Sequence, residues 1–121
     1  MPGKKVLIVD DNPDLTRILE IDLKKRGYEV ITANGGEEGF KKAEDERPGL
    51  ILLDIKMPDM DGFTFVRELK KSEKIRGIPV VILTGFEPMR DLFKTEGIAD
   101  YFVKGTDFAI LLKSIEKHLK V

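Results

Sequence analysis

Three short aliphatic runs punctuate the chain: VLIV (Val6 to Val9), LILL (Leu50 to Leu53) and VVIL (Val80 to Leu83). None alternates with polar residues, the pattern of strands buried on both faces of a parallel sheet. Two weaker runs, YEVITA from Tyr28 and YFV from Tyr101, mix polarity and suit edge strands. Helical patterns fill the intervals. NPDLTRILEIDLKKRG offers Asn12 as N-cap, Pro13 at the first helical position, an apolar stripe of Leu15, Ile18, Leu19 and Leu23, and Gly27 as a stop. GTDFAILLKSIEKHLK begins with Thr106 or Asp107 as cap and sets Phe108, Leu111, Leu112, Ile115 and Leu119 on one face. Two further helices are predicted: one carrying Gly35, Gly36 and Gly39 and ending before Pro48, the other running from Gly62 to about Ser72 with Phe65, Val66 and Leu69 at helical spacing. Phe40 and Phe63 read as core residues, Met57 and Met60 as loop packing.

Strand and helix alternate throughout, giving about five βα units. Right-handed crossovers then place helices on both sides of one parallel sheet. At 121 residues the chain reads as one domain spanning 1–121, large enough to bury a core without staples. Composition narrows the function. Charged residues make up 36% of the chain yet the net charge is only -1, so the clustered basic excess of a nucleic-acid binder is missing. No apolar run approaches the roughly 20 residues of a membrane span, and the start lacks a secretory signal, so a cytoplasmic location is expected. The absence of cysteine excludes disulfides and thiolate metal sites.

Burying an unpaired carboxylate costs several kcal/mol, yet LILL runs directly into Asp54. Open α/β sheets bind ligands at the carboxyl edge of their strands, and the polar residues ending these strands all fall there. Asp10 and Asp11 end the first strand, Asp54 the third, Thr84 the fourth and Lys104 the last. Three carboxylates at close quarters repel one another unless a cation joins them. Oxygen-only ligands favour Mg²⁺, or Mn²⁺ in its place. Asp54 could then serve as nucleophile as well as ligand, with Thr84 and Lys104 meeting phosphoryl oxygens as hydrogen-bond donor and fixed charge.

The combination of KKVLIVDDNPD, LLDIKMPDMDGF, VVILTG and YFVK resembles the receiver domain of response regulators, the phosphoacceptor module of two-component signalling. The resemblance covers essentially the whole chain. It implies a flavodoxin-like doubly wound fold, a five-stranded parallel sheet in the order 2-1-3-4-5 flanked by about five helices. Asp54 would accept phosphate reversibly from a sensor histidine kinase or histidine phosphotransfer protein. Asp11, Asp54 and the backbone carbonyl of Lys56 would bind Mg²⁺, and Asp10 would hold a water on it. Tyr101 would be the switch aromatic that moves with Thr84, while Lys56 and Phe86 would influence phosphoryl lifetime. Such a module is not an enzyme beyond its own phosphotransfer and slow autodephosphorylation. It signals by changing its affinity for a downstream protein, with no direct contact to nucleic acid or membrane.

Two departures from the family pattern stand out. Gly105 replaces the proline that usually follows the lysine, so the Lys104 to Gly105 peptide is expected to be trans and the loop beyond it more mobile. Pro88 confines the fourth helix to about Glu87 to Glu96, shortening it and altering the surface near Phe86, Met89 and Phe93.

Competing readings are weaker. A haloacid-dehalogenase-type phosphatase also uses an aspartyl nucleophile and Mg²⁺, but needs a second aspartate where this chain has Lys56. A flavodoxin-like cofactor module would carry a Ser/Thr-rich phosphate loop in place of DDNPD. Asp59 and Asp61 belong to the turn sequence PDMDG and read as loop residues. His118 lies in the last turn of the final helix, where a cation complements the dipole, and reads as structural and not as a phosphorelay group. Met1 and the close near Val121 fit a free-standing protein, and a receiver cut from a longer one would look the same.

Overall fold

The computed structural model describes residues 4–55, 57–85 and 97–119. In chain order the elements are β1 (Lys5–Val9), α1 (Pro13–Lys25), β2 (Glu29–Ala33), α2 (Gly36–Glu46), β3 (Leu50–Leu53), α3 (Gly62–Lys71), β4 (Val80–Thr84), β5 (Asp100–Val103) and α4 (Phe108–His118). All strand pairs are parallel, in the order β2-β1-β3-β4-β5. The three aliphatic runs form the three central strands, and the two mixed runs take the edges. The shortened helix expected between Glu87 and Glu96 lies outside the described residues.

Successive residues of a strand point to opposite faces, so each aliphatic run supplies two cores at once. Leu7, Val9, Ile51, Leu53, Val80 and Ile82 join a cluster with Ala43 of α2 and Phe65, Val66 and Leu69 of α3. Val6, Ile8, Leu50, Leu52, Val81 and Leu83 join the other, with Leu19 and Leu23 of α1 and Leu111 and Ile115 of α4. Helices α2 and α3 thus cover one face, α1 and α4 the other. Phe40 and Phe63 are partly buried against the first cluster, and Phe40 meets Phe65 edge to face at 6.0 Å.

Asn12 caps α1 as expected, accepting from the amides of Asp14 and Leu15. Asp107, and not Thr106, caps α4. One position of the predicted α1 stripe is wrong. Ile18 is 58% exposed, and Thr16 is buried in its stead. The inward direction is set by Leu19 and Leu23, which puts Thr16 on the core side and Ile18 roughly a third of a turn away. Thr16 tolerates burial because its hydroxyl donates to the Asn12 carbonyl at 2.9 Å.

Candidate functional site

Three of the expected site residues past a strand end are placed by the sheet's own ladder. The amide of Asp10 donates to Ala33, the last residue of β2, at 3.1 Å, and that of Asp54 donates to Val9, the last of β1, at 2.9 Å. Lys104 donates in the same way to Thr84, the last of β4, at 2.7 Å. The ladder therefore delivers three different chain segments to one edge, with their side chains converging.

Asp10, Asp11 and Asp54 each present a carboxylate oxygen within 4.8 Å of the others. Asp10 and Asp54 are buried while Asp11 is exposed. The Lys104 ammonium bridges the buried pair, 3.2 Å from Asp10 Oδ2 and 3.4 Å from Asp54 Oδ2. Burial pushes the Asp10 carboxyl above its ordinary range, and the Asp54 charge adds to this. The Asn12 amide, which donates to Asp10 Oδ1 at 2.9 Å, and Lys104 only partly oppose it. Burial pulls Lys104 down, but the charges of Asp54 and Asp10 outweigh it and the ammonium is held above its ordinary range. One ammonium against three carboxylates leaves the edge negative. An all-oxygen donor set of this kind, open on the Asp11 side, fits a hard divalent cation.

Thr84 is buried at the end of β4. Tyr101 sits in β5 opposite Ile82, 7% exposed, within the core cluster that α2 and α3 cover. Lys56 and Phe86 lie outside the described residues. The Lys104 to Gly105 peptide is trans, and Gly105 has φ +99°. Proline, locked near -65°, has no access to that conformation, so the substitution and the local backbone agree. His118 closes α4 with its Nε2 4.0 Å from Asp100 Oδ2.

The turn aspartates do more than turn chemistry suggested. Asp61 caps α3, accepting from the Thr64 amide at 2.8 Å. Asp59 accepts from two amides at the start of α2. The first was available in the sequence, since Asp61 stands three residues before Thr64 at a helix start. The second depends on a contact between distant segments, which no local pattern announces.

No helix among the described residues is long and apolar enough to cross a membrane. Residues 6–116 match the response regulator receiver domain family. Protein PilH of Pseudomonas aeruginosa is 38% identical over 113 residues, covering 92% of this chain and 93% of PilH. The alkaline phosphatase synthesis transcriptional regulatory protein PhoP of Bacillus subtilis is 39% identical over 104 residues, but there the chain spans only 42% of the relative's length. Among solved structures, the response regulator TrrA of Thermotoga maritima, in complex with Mg²⁺ and BeF, superposes with a TM-score of 0.87 at 31% identity, covering 95% of this chain and 98% of that one. Neither the family nor these relatives favour a dehalogenase-type phosphatase. A strand-end acidic cluster on a 2-1-3-4-5 parallel sheet, matched over nearly its whole length by such relatives, places the chain in the receiver domain family of two-component response regulators.

Proposed function

We propose that this receiver is phosphorylated on Asp54, with Lys104, Thr84 and a divalent cation held by the acidic cluster assisting the transfer. The observation that carries the reading is the placement of Asp54: a buried carboxylate at the end of a central strand, facing Asp10, Asp11 and the Lys104 ammonium together. A carboxylate oxygen of Asp54 attacks the phosphorus of a phosphohistidine on the donor. The P–N bond breaks as the new P–O bond forms, and the leaving imidazole nitrogen takes a proton from solvent. Lys104, already oriented by two carboxylates, supplies fixed positive charge to the phosphoryl oxygens, and Thr84 supplies a hydroxyl donor.

Asp11, Asp54 and the carbonyl of Lys56 would hold Mg²⁺, with Asp10 contributing through water. When bound, Mg²⁺ offsets the charge of the carboxylates and the incoming phosphoryl group. TrrA supports this choice of ion, having been crystallised with Mg²⁺ and BeF. The donor is a histidine kinase or histidine phosphotransfer protein, and the output is altered affinity for a downstream protein through movement of Thr84 and Tyr101. Incubation with acetyl phosphate and Mg²⁺ should add one phosphoryl mass to the wild type and none to Asp54→Asn. Full labelling of that variant would place the acceptor elsewhere.

A further inference from the structure

The loop from Asp54 to Asp61 is tied down at a point the phosphotransfer chemistry does not use. Helix α2 opens without a cap of its own, because Gly35 occupies the N-cap and has no side chain to accept the first amides. Those N–H groups have no partners within the helix. Asp59 reaches across and takes two of them: the Gly36 amide donates to Oδ1 and the Glu37 amide to Oδ2, each at 3.0 Å. These two bonds, that from Glu37 first, hold the Asp59 carboxyl below its usual range.

A serine, asparagine or aspartate at position 35 would satisfy the same amides locally. Here the cap comes instead from the loop that follows the phosphoacceptor. The glycine is what admits it, since a Cβ on Gly35 would stand 2.8 Å from Asp59 Oδ1. Other bonds secure the loop to its own end. Gly62 donates to the Ile55 carbonyl at 2.7 Å, and Asp61 caps α3. Asp59 fastens it to a separate element, at the middle of the span between Asp54 and α3.

We infer that Asp59 is a positioning residue: by clamping the loop to the start of α2 it holds Asp54 and the adjoining backbone in the arrangement that receives the cation and the phosphoryl group. The inference rests on Asp54 as the phosphoacceptor. Met60 packs on the same helix start, where a Cβ on Gly36 would stand 2.6 Å from its Cβ, so removing the Asp59 carboxylate loosens the polar tie and leaves this apolar contact. Loss of an outer support of a metal site costs about tenfold in metal affinity or activity.

The test separates positioning from simple helix capping. Asp59→Ala removes both the cap and the clamp. The double variant Gly35→Ser with Asp59→Ala restores a local cap, in space that Asp59 has vacated, without restoring the clamp. Mg²⁺ affinity by calorimetry, phosphorylation rate with acetyl phosphate and melting temperature are measured for both. Asp59→Ala should bind Mg²⁺ about tenfold more weakly and label correspondingly slowly. The double variant should recover the melting temperature but neither of the other two. Wild-type Mg²⁺ affinity in Asp59→Ala, or recovery of affinity and rate together with stability in the double variant, would overturn the inference. Labelling of Asp54→Asn in the same assay would overturn it through the assignment beneath it, a distinct result.

Discussion

Asp10 illustrates a buried carboxylate whose ionisation opposes the stability of the fold. Its carboxyl is raised from an ordinary value of 3.8, by burial first and by the Asp54 charge after that. A carboxyl whose folded pKa exceeds its unfolded one binds its proton more tightly in the folded state. Its ionisation therefore lowers stability progressively as pH rises from the unfolded value through the raised one, and the loss is complete above it. In metal-free buffer with a chelator present, Asp10→Asn should melt at a higher temperature than the wild type at neutral pH. The amide keeps an oxygen to accept from Asn12. The advantage should shrink as pH is lowered through the carboxylate range, where Asp10 becomes neutral in the wild type too. Thermal melts across that range check this, and a lower melting temperature for the variant at neutral pH would show that the Lys104 contact outweighs the burial. The same ionised carboxylate is what a cation needs, so the variant should also respond less to Mg²⁺.

Helix α2 is fitted closely to the sheet at Gly39. A Cβ on Gly39 would lie 2.7 Å from Val9 Cγ2 and 2.8 Å from its Cγ1. Val9 is fully buried, β-branched and therefore stiff, so it has little room to turn aside. Gly39→Ala would gain about 1 kcal/mol of helix propensity on an exposed helix, but overpacking of this kind costs about 1–3 kcal/mol. The variant should have a lower urea midpoint than the wild type, and a higher one would mean that α2 shifts freely. The glycines that dilute the helical pattern of this segment are thus a packing requirement. Composition alone shows them as weak helix formers, because the neighbour that demands them is twenty or more residues away in the chain. The same applies to Asp59, whose partners are the amides of Gly36 and Glu37. By contrast, Asn12, Asp61 and Asp107 cap helices within three residues of themselves, and VLIV, LILL and VVIL declare their double burial directly. Ile18 went astray because Leu15, Ile18, Leu19 and Leu23 form a stripe wider than the face that α1 buries. What is legible locally is the periodicity, and what is not is which edge of a wide stripe meets the sheet.

For the molecule as a whole, the convergence of Asp10, Asp54 and Lys104 follows from topology: parallel strands end together, so residues one step past β1, β3 and β5 share an edge whatever their distance in sequence. That is why the cluster is readable from three aliphatic runs and their terminal residues. Its consequence is that the folded chain concentrates negative charge that the unfolded chain disperses, although the net charge is only -1. A divalent cation that binds this cluster and not the unfolded chain must stabilise the fold by mass action. At a free concentration of a hundred times its dissociation constant, the linkage contributes about 2.7 kcal/mol. For a domain of this size, with an unfolding entropy of about 2.1 cal/mol/K per residue, that corresponds to a rise of about 10 °C in melting temperature. Asp11 is the member best suited to the control. It is exposed, so its loss leaves no buried group unpaired and should change the metal-free melting temperature little. Scanning calorimetry of the wild type and Asp11→Ala, with and without saturating Mg²⁺, separates the two contributions. The wild type should gain about 10 °C and the variant should lose most of that gain. An equal gain in both would place the ion away from the strand-end cluster.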